Sequence, residues 1–169
     1  MLRNLLVIFL SIVFSGICTA QKREIYQGVY IYQFSKYIKW PDNYNPETFV
    51  IGVVGDETGL KSMQTMANTK KETSGKQFVI NMVSGINEIG NANILFVQQG
   101  FENVLPNIVN STRNKPILIV TEGEGLIQKG AVISLVDIDG RMRFELSKSR
   151  AEEQGLIVSG TLASLAILK

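Results

Sequence analysis

Histidine is absent from this sequence of 169 residues, and cysteine occurs once, at Cys18. Without an imidazole the chain can form neither a Ser-His-Asp nor a Cys-His triad, and it has no HExxH metalloprotease motif. One cysteine supports neither a disulfide framework nor a cysteine-based zinc site. Catalysis would then need a carboxylate pair or a Ser-Lys pair, and no spacing in the chain supports either. We therefore expect a protein that is not an enzyme and needs no cofactor.

An excess of charge of one sign is also missing. The chain has 17 basic and 15 acidic residues, which are mixed along its length and give a net charge of +2. A protein that binds nucleic acid usually carries a clustered basic surface, so we expect no nucleic-acid partner. The apolar fraction of 45% is sufficient for the core of one globular domain.

A long apolar run is found only at the N-terminus, where it predicts a secretory signal peptide over residues 1–20. Arg3 supplies a positive charge, residues 5–14 are nearly all apolar, and Cys18 and Ala20 precede a plausible cleavage site before Gln21. Cleavage would leave residues 21–169 as a single domain without cysteine. This layout predicts a periplasmic or extracellular location.

Two alternatives to a cleaved signal peptide are open. The segment could stay as a membrane anchor, although a bilayer span needs about 20 apolar residues. It could also be lipidated at Cys18, although Ile17 is a poor fit before a lipidated cysteine.

The pattern of apolar runs predicts an α/β fold. Runs at 49–54, 78–83, 92–97 and 116–120 alternate with helical segments, which favours a parallel sheet covered on both faces. Near the C-terminus, Asp139 and Gly140 separate two further strands and predict an antiparallel hairpin. We therefore expect a three-layer sandwich with a mainly parallel sheet and an antiparallel C-terminal edge hairpin.

Three helix ends can also be predicted near the C-terminus. Ser149 and Glu152 have the spacing of a capping box that opens a short helix, and Gly155 would end it. Ser159 is placed to cap a last helix over residues 161–168.

The first helix, predicted over residues 23–40 and ended by Pro41, is unusually aromatic. Six of the 14 aromatic residues of the chain fall within residues 26–40. Apolar residues including Ile25 and Val29 recur at helical spacing, and a stripe of aromatic residues runs from Tyr26 to Tyr37. Packing against the sheet is the favoured interpretation. Partly exposed aromatic residues in a protein interface are the alternative.

Two loops are candidates for a small-molecule site, because ligands of open α/β sheets bind at the carboxyl ends of strands. Gly55 and Asp56 follow the first predicted strand, and Glu122 follows the fourth within a flexible acidic loop. The simpler interpretation is that Gly55 forms a turn, Asp56 caps the next helix and Glu122 belongs to a loop-to-helix turn. Asp137 and Asp139 lack the further oxygen ligands of a calcium loop, so we expect no metal.

Several motifs, taken in order, make the chain resemble the YfiR-like family of bacterial periplasmic proteins. They are Phe34, Tyr37, Trp40 and Pro41; the segments 51–56, 94–96, 116–120, 130–133 and 143–146; and Ala151, Gly155, Leu156, Ser159, Leu162, Leu165 and Ala166. The chain departs from the family pattern at Thr121, Glu122 and Ser147, and residues 21–169 lack the cysteines that form disulfides in the founding members.

The resemblance implies a periplasmic regulator, often dimeric, that restrains a membrane-bound signalling protein by binding its extracytoplasmic part. That partner is typically a diguanylate cyclase, and related domains are fused to sensor histidine kinases. We predict an exposed partner-binding corner at Tyr37, Trp40 and Pro41. Phe144 and Glu145 form a second candidate, with the Glu145 side chain facing outward. The alternative is a stand-alone periplasmic small-molecule-binding protein that uses the crevice near Gly55, Asp56 and Glu122.

Overall fold

The computed structural model describes residues 25–45, 47–70 and 75–169. The predicted signal peptide at residues 1–20 lies outside this range. Within it, no helix is both long enough and apolar enough to cross a membrane.

A mainly parallel sheet forms the centre of the molecule. In chain order, the strands of the described residues are β1 (Ile38–Lys39), β2 (Thr48–Val54), β3 (Gln77–Met82), β4 (Ile94–Val97), β5 (Leu118–Glu122), β6 (Ile133–Ile138), β7 (Arg141–Leu146), β8 (Ile157–Val158) and β9 (Ile167–Leu168). Seven of them form one sheet in the order β3-β2-β4-β5-β6-β7-β9, while β1 and β8 pair separately and antiparallel. Within this sheet, β3, β2, β4, β5 and β6 run parallel to one another. Strand β7 is antiparallel to β6, and β9 is parallel to β7.

Helices lie around this sheet. They are α1 over residues 25–37, α2 (Glu57–Thr69), α3 (Leu105–Ser111), α4 (Lys148–Glu153) and α5 (Gly160–Leu165), with 3₁₀ turns at Ile86–Glu88 and Glu102–Val104. The first helix ends at residue 37 rather than at residue 40, because Ile38 and Lys39 pair with β8.

Two apolar cores, one on each face of the sheet, confirm the three-layer α/β prediction. In β4, Ile94 and Phe96 belong to the core beneath α1 and α2, whereas Leu95 and Val97 belong to the core beneath α3. All four side chains are fully buried. Strands that are buried on both faces read as continuous apolar runs, which is why the sequence pattern was informative.

The C-terminal hairpin forms at the predicted turn. Asp139 and Gly140 have φ angles of 52° and 73°, as a tight two-residue hairpin turn requires, and they join β6 to β7. The short strand β9 adds outside β7 and pairs with Glu145 and Leu146, so β7 is not the outermost strand.

The predicted helix ends are met in part. The capping box at Ser149 is wrong, because Ser147 is the residue before α4 and no side chain caps that helix. Gly155 follows the helix with a φ of 71°, as predicted. Ser159 caps α5 through a hydrogen bond from the backbone N of Leu162, at 3.2 Å, but this helix ends at Leu165.

Candidate functional site

The carboxyl ends of β2 and β4 meet at the point where the strand order reverses, which is where open α/β sheets usually bind ligands. Gly55 and Asp56 lie there, as predicted. The space beside them is occupied by Gln98, which follows β4. Its Oε1 accepts a hydrogen bond from the backbone N of Asp56 at 2.9 Å, and its Nε2 donates to the Thr58 hydroxyl at 3.0 Å.

The Gln98 side chain packs directly against the backbone of Gly55 and Gly59. A Cβ atom at Gly55 would lie 2.2 Å from Gln98 Oε1, and one at Gly59 would lie 2.5 Å from the same atom. The space beside the two glycines is therefore taken by the Gln98 side chain and not left open for a ligand. This packing offers no support to a ligand site at Gly55 and Asp56, which stays a prediction.

Asp56 is the N-cap of α2, the simpler of the two roles considered for it. Its Oδ1 accepts from the backbone N of Thr58 at 2.9 Å and of Gly59 at 3.3 Å. The hydrogen bond from the Thr58 hydroxyl lowers the pKa of Asp56 below its usual value, and these backbone bonds act in the same direction.

Replacing Asp56 tests this cap. Asp56→Ala should lower the free energy of unfolding by about 1 kcal/mol at neutral pH, because two amides of α2 lose their acceptor. The charge-dependent part should be present above the unfolded-state pKa and be lost as the pH falls through the lower folded-state pKa. Urea unfolding at several pH values measures both effects. Asp56→Asn, which keeps an acceptor, is the control, and a loss equal to that of Asp56→Ala would contradict the cap.

The sequence predicts Glu122 in a flexible loop, but the structure places it in a strand. It is the last residue of β5 and is 1% exposed. Its Oε1 accepts from Gln27 Nε2 at 2.8 Å and its Oε2 accepts from the backbone N of Gln99 at 3.1 Å. The carboxylate thus joins α1 to the sheet and to the segment after β4, so the ligand role predicted for Glu122 gains no support.

Glu145 does not face outward, and the prediction that it would is wrong. It is 8% exposed at the point where β9 pairs with β7, although Arg141 and Arg143 on the same face of β7 are exposed. Its Oε1 pairs with Lys169 Nζ at 3.0 Å, and its Oε2 is buried without a hydrogen-bond partner among the described residues. Phe144 is 4% exposed, in the core as expected. Neither residue is accessible enough to form a docking surface.

Removing the cation of this pair should destabilise the protein. Lys169→Met leaves the Glu145 carboxylate buried and unpaired, which we expect to cost about 2 kcal/mol, less than a fully buried pair because Lys169 is partly exposed. Adding Glu145→Gln should recover part of the loss, since no buried charge remains. Urea unfolding at neutral pH gives both values. A Lys169→Met variant as stable as the wild type would show that the pair contributes nothing.

The predicted corner at Tyr37, Trp40 and Pro41 is only partly exposed. Pro41 is exposed, whereas Tyr37 and Trp40 are half-buried. The Trp40 ring lies edge-on to Phe49 with centroids 4.9 Å apart, and its Nε1 donates to the carbonyl oxygen of Asn93 at 3.1 Å. Trp40 thus packs against the core, and partner binding by these residues stays a prediction.

The middle of α1 packs against β7, as the favoured interpretation of its aromatic stripe expected. Phe34 is fully buried, and its ring centroid lies 5.3 Å from that of Phe144 and 5.9 Å from that of Tyr30. The Tyr30 hydroxyl donates to the carbonyl oxygen of Met142 at 2.7 Å. Burial raises the pKa of Tyr30, which keeps this donor protonated.

The start of α1 is different, and this surface was missed by sequence reasoning. Ile25, Tyr26 and Val29 are 63%, 42% and 48% exposed. Ile25 and Val29 line a groove between α1 and α2 with a volume of about 540 Å³. The signal was present in the sequence, because the apolar residues of this helix are too numerous for one buried stripe.

Comparison with known proteins gives the following relationships. A search of curated proteins finds no match. Among solved structures, the chain is similar to the ABC domain in complex with L-Trp from Streptococcus pneumoniae, with a TM-score of 0.54 and 13% identity, covering 75% of this chain and 57% of that one. It is also similar to a conserved domain protein from Vibrio cholerae, with a TM-score of 0.49 and 10% identity, covering 75% and 56%. The chain thus spans less than two thirds of either protein, and the first likeness shows the fold alone.

A family model described as YfiR/HmsC-like matches residues 26–167. The match includes nearly all of the described residues, from α1 to the start of β9. The resemblance inferred from the ordered motifs is therefore confirmed. The chain belongs to the YfiR/HmsC-like family, whose members are periplasmic regulators of cyclic di-GMP signalling.

Proposed function

We propose that this protein is a non-catalytic periplasmic regulator that binds the extracytoplasmic part of a membrane-bound signalling protein and modulates its activity. The partner would be of the diguanylate cyclase or histidine kinase type. The observation that carries the proposal is the exposed apolar surface at the start of α1, made of Ile25, Tyr26 and Val29. Clustered exposed apolar side chains are typical of protein interaction sites.

Binding would regulate the partner by shifting its conformational equilibrium. If the partner has an active and an inactive state, a protein that binds the inactive state more tightly increases the population of that state. Residues that the partner touches must be accessible. Pro41 and the half-buried Tyr37 and Trp40 therefore stay as proposed further contacts, whereas Phe144 and Glu145 do not.

The stand-alone small-molecule binder is the weaker proposal. Its predicted crevice is filled by Gln98, and Glu122 is engaged by Gln27 and Gln99. No contact among the described residues favours this role over partner binding.

Crosslinking in cells tests the proposed function. The tagged protein is crosslinked in intact cells, recovered from the membrane fraction and identified with its partners by mass spectrometry. We expect to capture a membrane protein with a cyclase or kinase domain. Recovery of this protein alone, or only of other copies of itself, would contradict the proposal.

A further inference from the structure

The groove between α1 and α2 is elongated and follows both helices. Ile25, Val29 and Gln33 line its α1 side at four-residue spacing, and Lys61, Thr65 and Thr69 line its α2 side at the same spacing. At 1.5 Å per residue, either set extends over about 12 Å, which is roughly two helical turns. The groove thus has the length of a short helix laid along its two walls.

The floor of the groove is formed by a close contact between the two helices at Gly28. A Cβ atom at Gly28 would lie 3.1 Å from the Cβ of Met66 and 3.4 Å from the carbonyl oxygen of Ser62. The absent side chain at Gly28 lets α1 lie against α2 and leaves a furrow above the contact. Ile25 and Val29 stand at its edge, 63% and 48% exposed, so the furrow is open along its side and is not an enclosed tunnel.

The border of the groove is basic. Lys61 and Lys70 line it, and Lys70 Nζ lies 5.7 Å from the centre of the Tyr32 ring. Lys36 approaches the same ring from α1, with its Nζ 5.6 Å from the centre. Within the described residues of these two helices, Glu57 is the one carboxylate, and it lies outside the groove lining. An occupant with negative charge on its flanks is therefore favoured.

We infer that this groove binds an amphipathic helix of the signalling partner, with apolar side chains in the furrow and carboxylates on its flanks facing Lys61 and Lys70. The inference rests on the proposed function. Helix-in-groove recognition uses apolar anchors at i, i+3, i+4 and i+7, which extend over about two helical turns, the length of the furrow. Because the groove is open along its side, an occupant keeps one face in water. An amphipathic helix can place its polar face there, whereas a lipid chain would expose apolar surface. The basic border selects an acidic helix.

Photocrosslinking from inside the groove tests this inference in cells. A photoreactive phenylalanine analogue replaces Val29 in the full chain, and thermal melting verifies that the variant folds. The same analogue at Ile138, which is 42% exposed in the hairpin, is the matched control. We expect the Val29 position to crosslink to a membrane signalling protein within an acidic amphipathic segment, and the Ile138 position to give no such product.

Charge reversal then tests the recognition itself. A synthetic peptide of the crosslinked segment should bind the wild type at least tenfold more tightly than the variant Lys61→Glu/Lys70→Glu. Replacing the peptide carboxylates by lysines should restore its binding to that variant. Fluorescence anisotropy measures each affinity, and a variant that binds the acidic peptide as tightly as the wild type would overturn the assigned role of the lysines.

The crosslinking outcomes separate this inference from the proposed function. Capture of a membrane signalling protein by an analogue at Pro41, but never by one at Val29, would overturn the inferred binding in the groove and support the proposed function. Crosslinks from Val29 only to a second copy of this protein or to lipid would also overturn the inferred binding of a partner helix. Failure to capture a signalling protein from any position would overturn both.

Discussion

Trp40→Ala should lower the free energy of unfolding by about 3 kcal/mol, although Trp40 is not fully buried. The indole packs edge-on to Phe49, whose ring is in turn edge-on to Phe78 with centroids 5.5 Å apart. The substitution removes this contact and leaves the carbonyl oxygen of Asn93 without its indole donor. Urea unfolding monitored by circular dichroism measures the loss.

Two controls separate packing from partner binding at this corner. Trp40→Phe keeps most of the ring and should lose only about 1 kcal/mol, chiefly from the missing hydrogen bond. Pro41→Ala changes an exposed side chain and should leave the stability nearly unchanged. If Trp40→Ala kept full stability while partner capture fell, Trp40 would be an interface residue instead of a core one.

The second large effect is expected at the start of α1. The double variant Ile25→Glu/Val29→Glu should reduce binding to the captured partner more than tenfold, because docking would bury two carboxylates in an apolar interface. Stability should hardly change, since both side chains are largely exposed in the free protein. Binding of the purified extracytoplasmic domain of the partner and the melting temperature are the two readouts.

A matched exposed position controls for the added charge. Ile86→Glu changes another exposed isoleucine, 44% exposed in the 3₁₀ turn before β4, and should bind the partner like the wild type. Equal losses in both variants would point to a general electrostatic effect. Undiminished binding by Ile25→Glu/Val29→Glu would show that the partner uses another surface.

Features governed by neighbouring residues could be predicted from the sequence. Asp139 and Gly140 form their turn with positive φ angles, and Asp56 caps the helix that follows it. Apolar runs such as 94–97 predicted strands buried on both faces. They did not predict strand order, because a buried run carries no information about which strand lies beside it.

Features governed by distant residues could not be predicted. Glu122 is buried against Gln27, 95 residues away, which donates to it, and Glu145 is buried where β9 pairs with β7 and Lys169 binds its carboxylate. Helical spacing likewise predicted α1 but not its accessible side. When apolar residues surround a helix, periodicity alone does not show which of them, here Ile25 and Val29, remain exposed.

The cellular level of cyclic di-GMP tests the central claim most directly. A strain lacking the protein would be complemented either with the wild type or with the variant Ile25→Glu/Val29→Glu, and the nucleotide would be quantified by mass spectrometry. The account predicts that the level changes on deletion, returns with the wild type and fails to return with an equally abundant variant. A level that is fully restored by the variant would contradict it, and a level that is unaffected by deletion would exclude a partner of the diguanylate cyclase type.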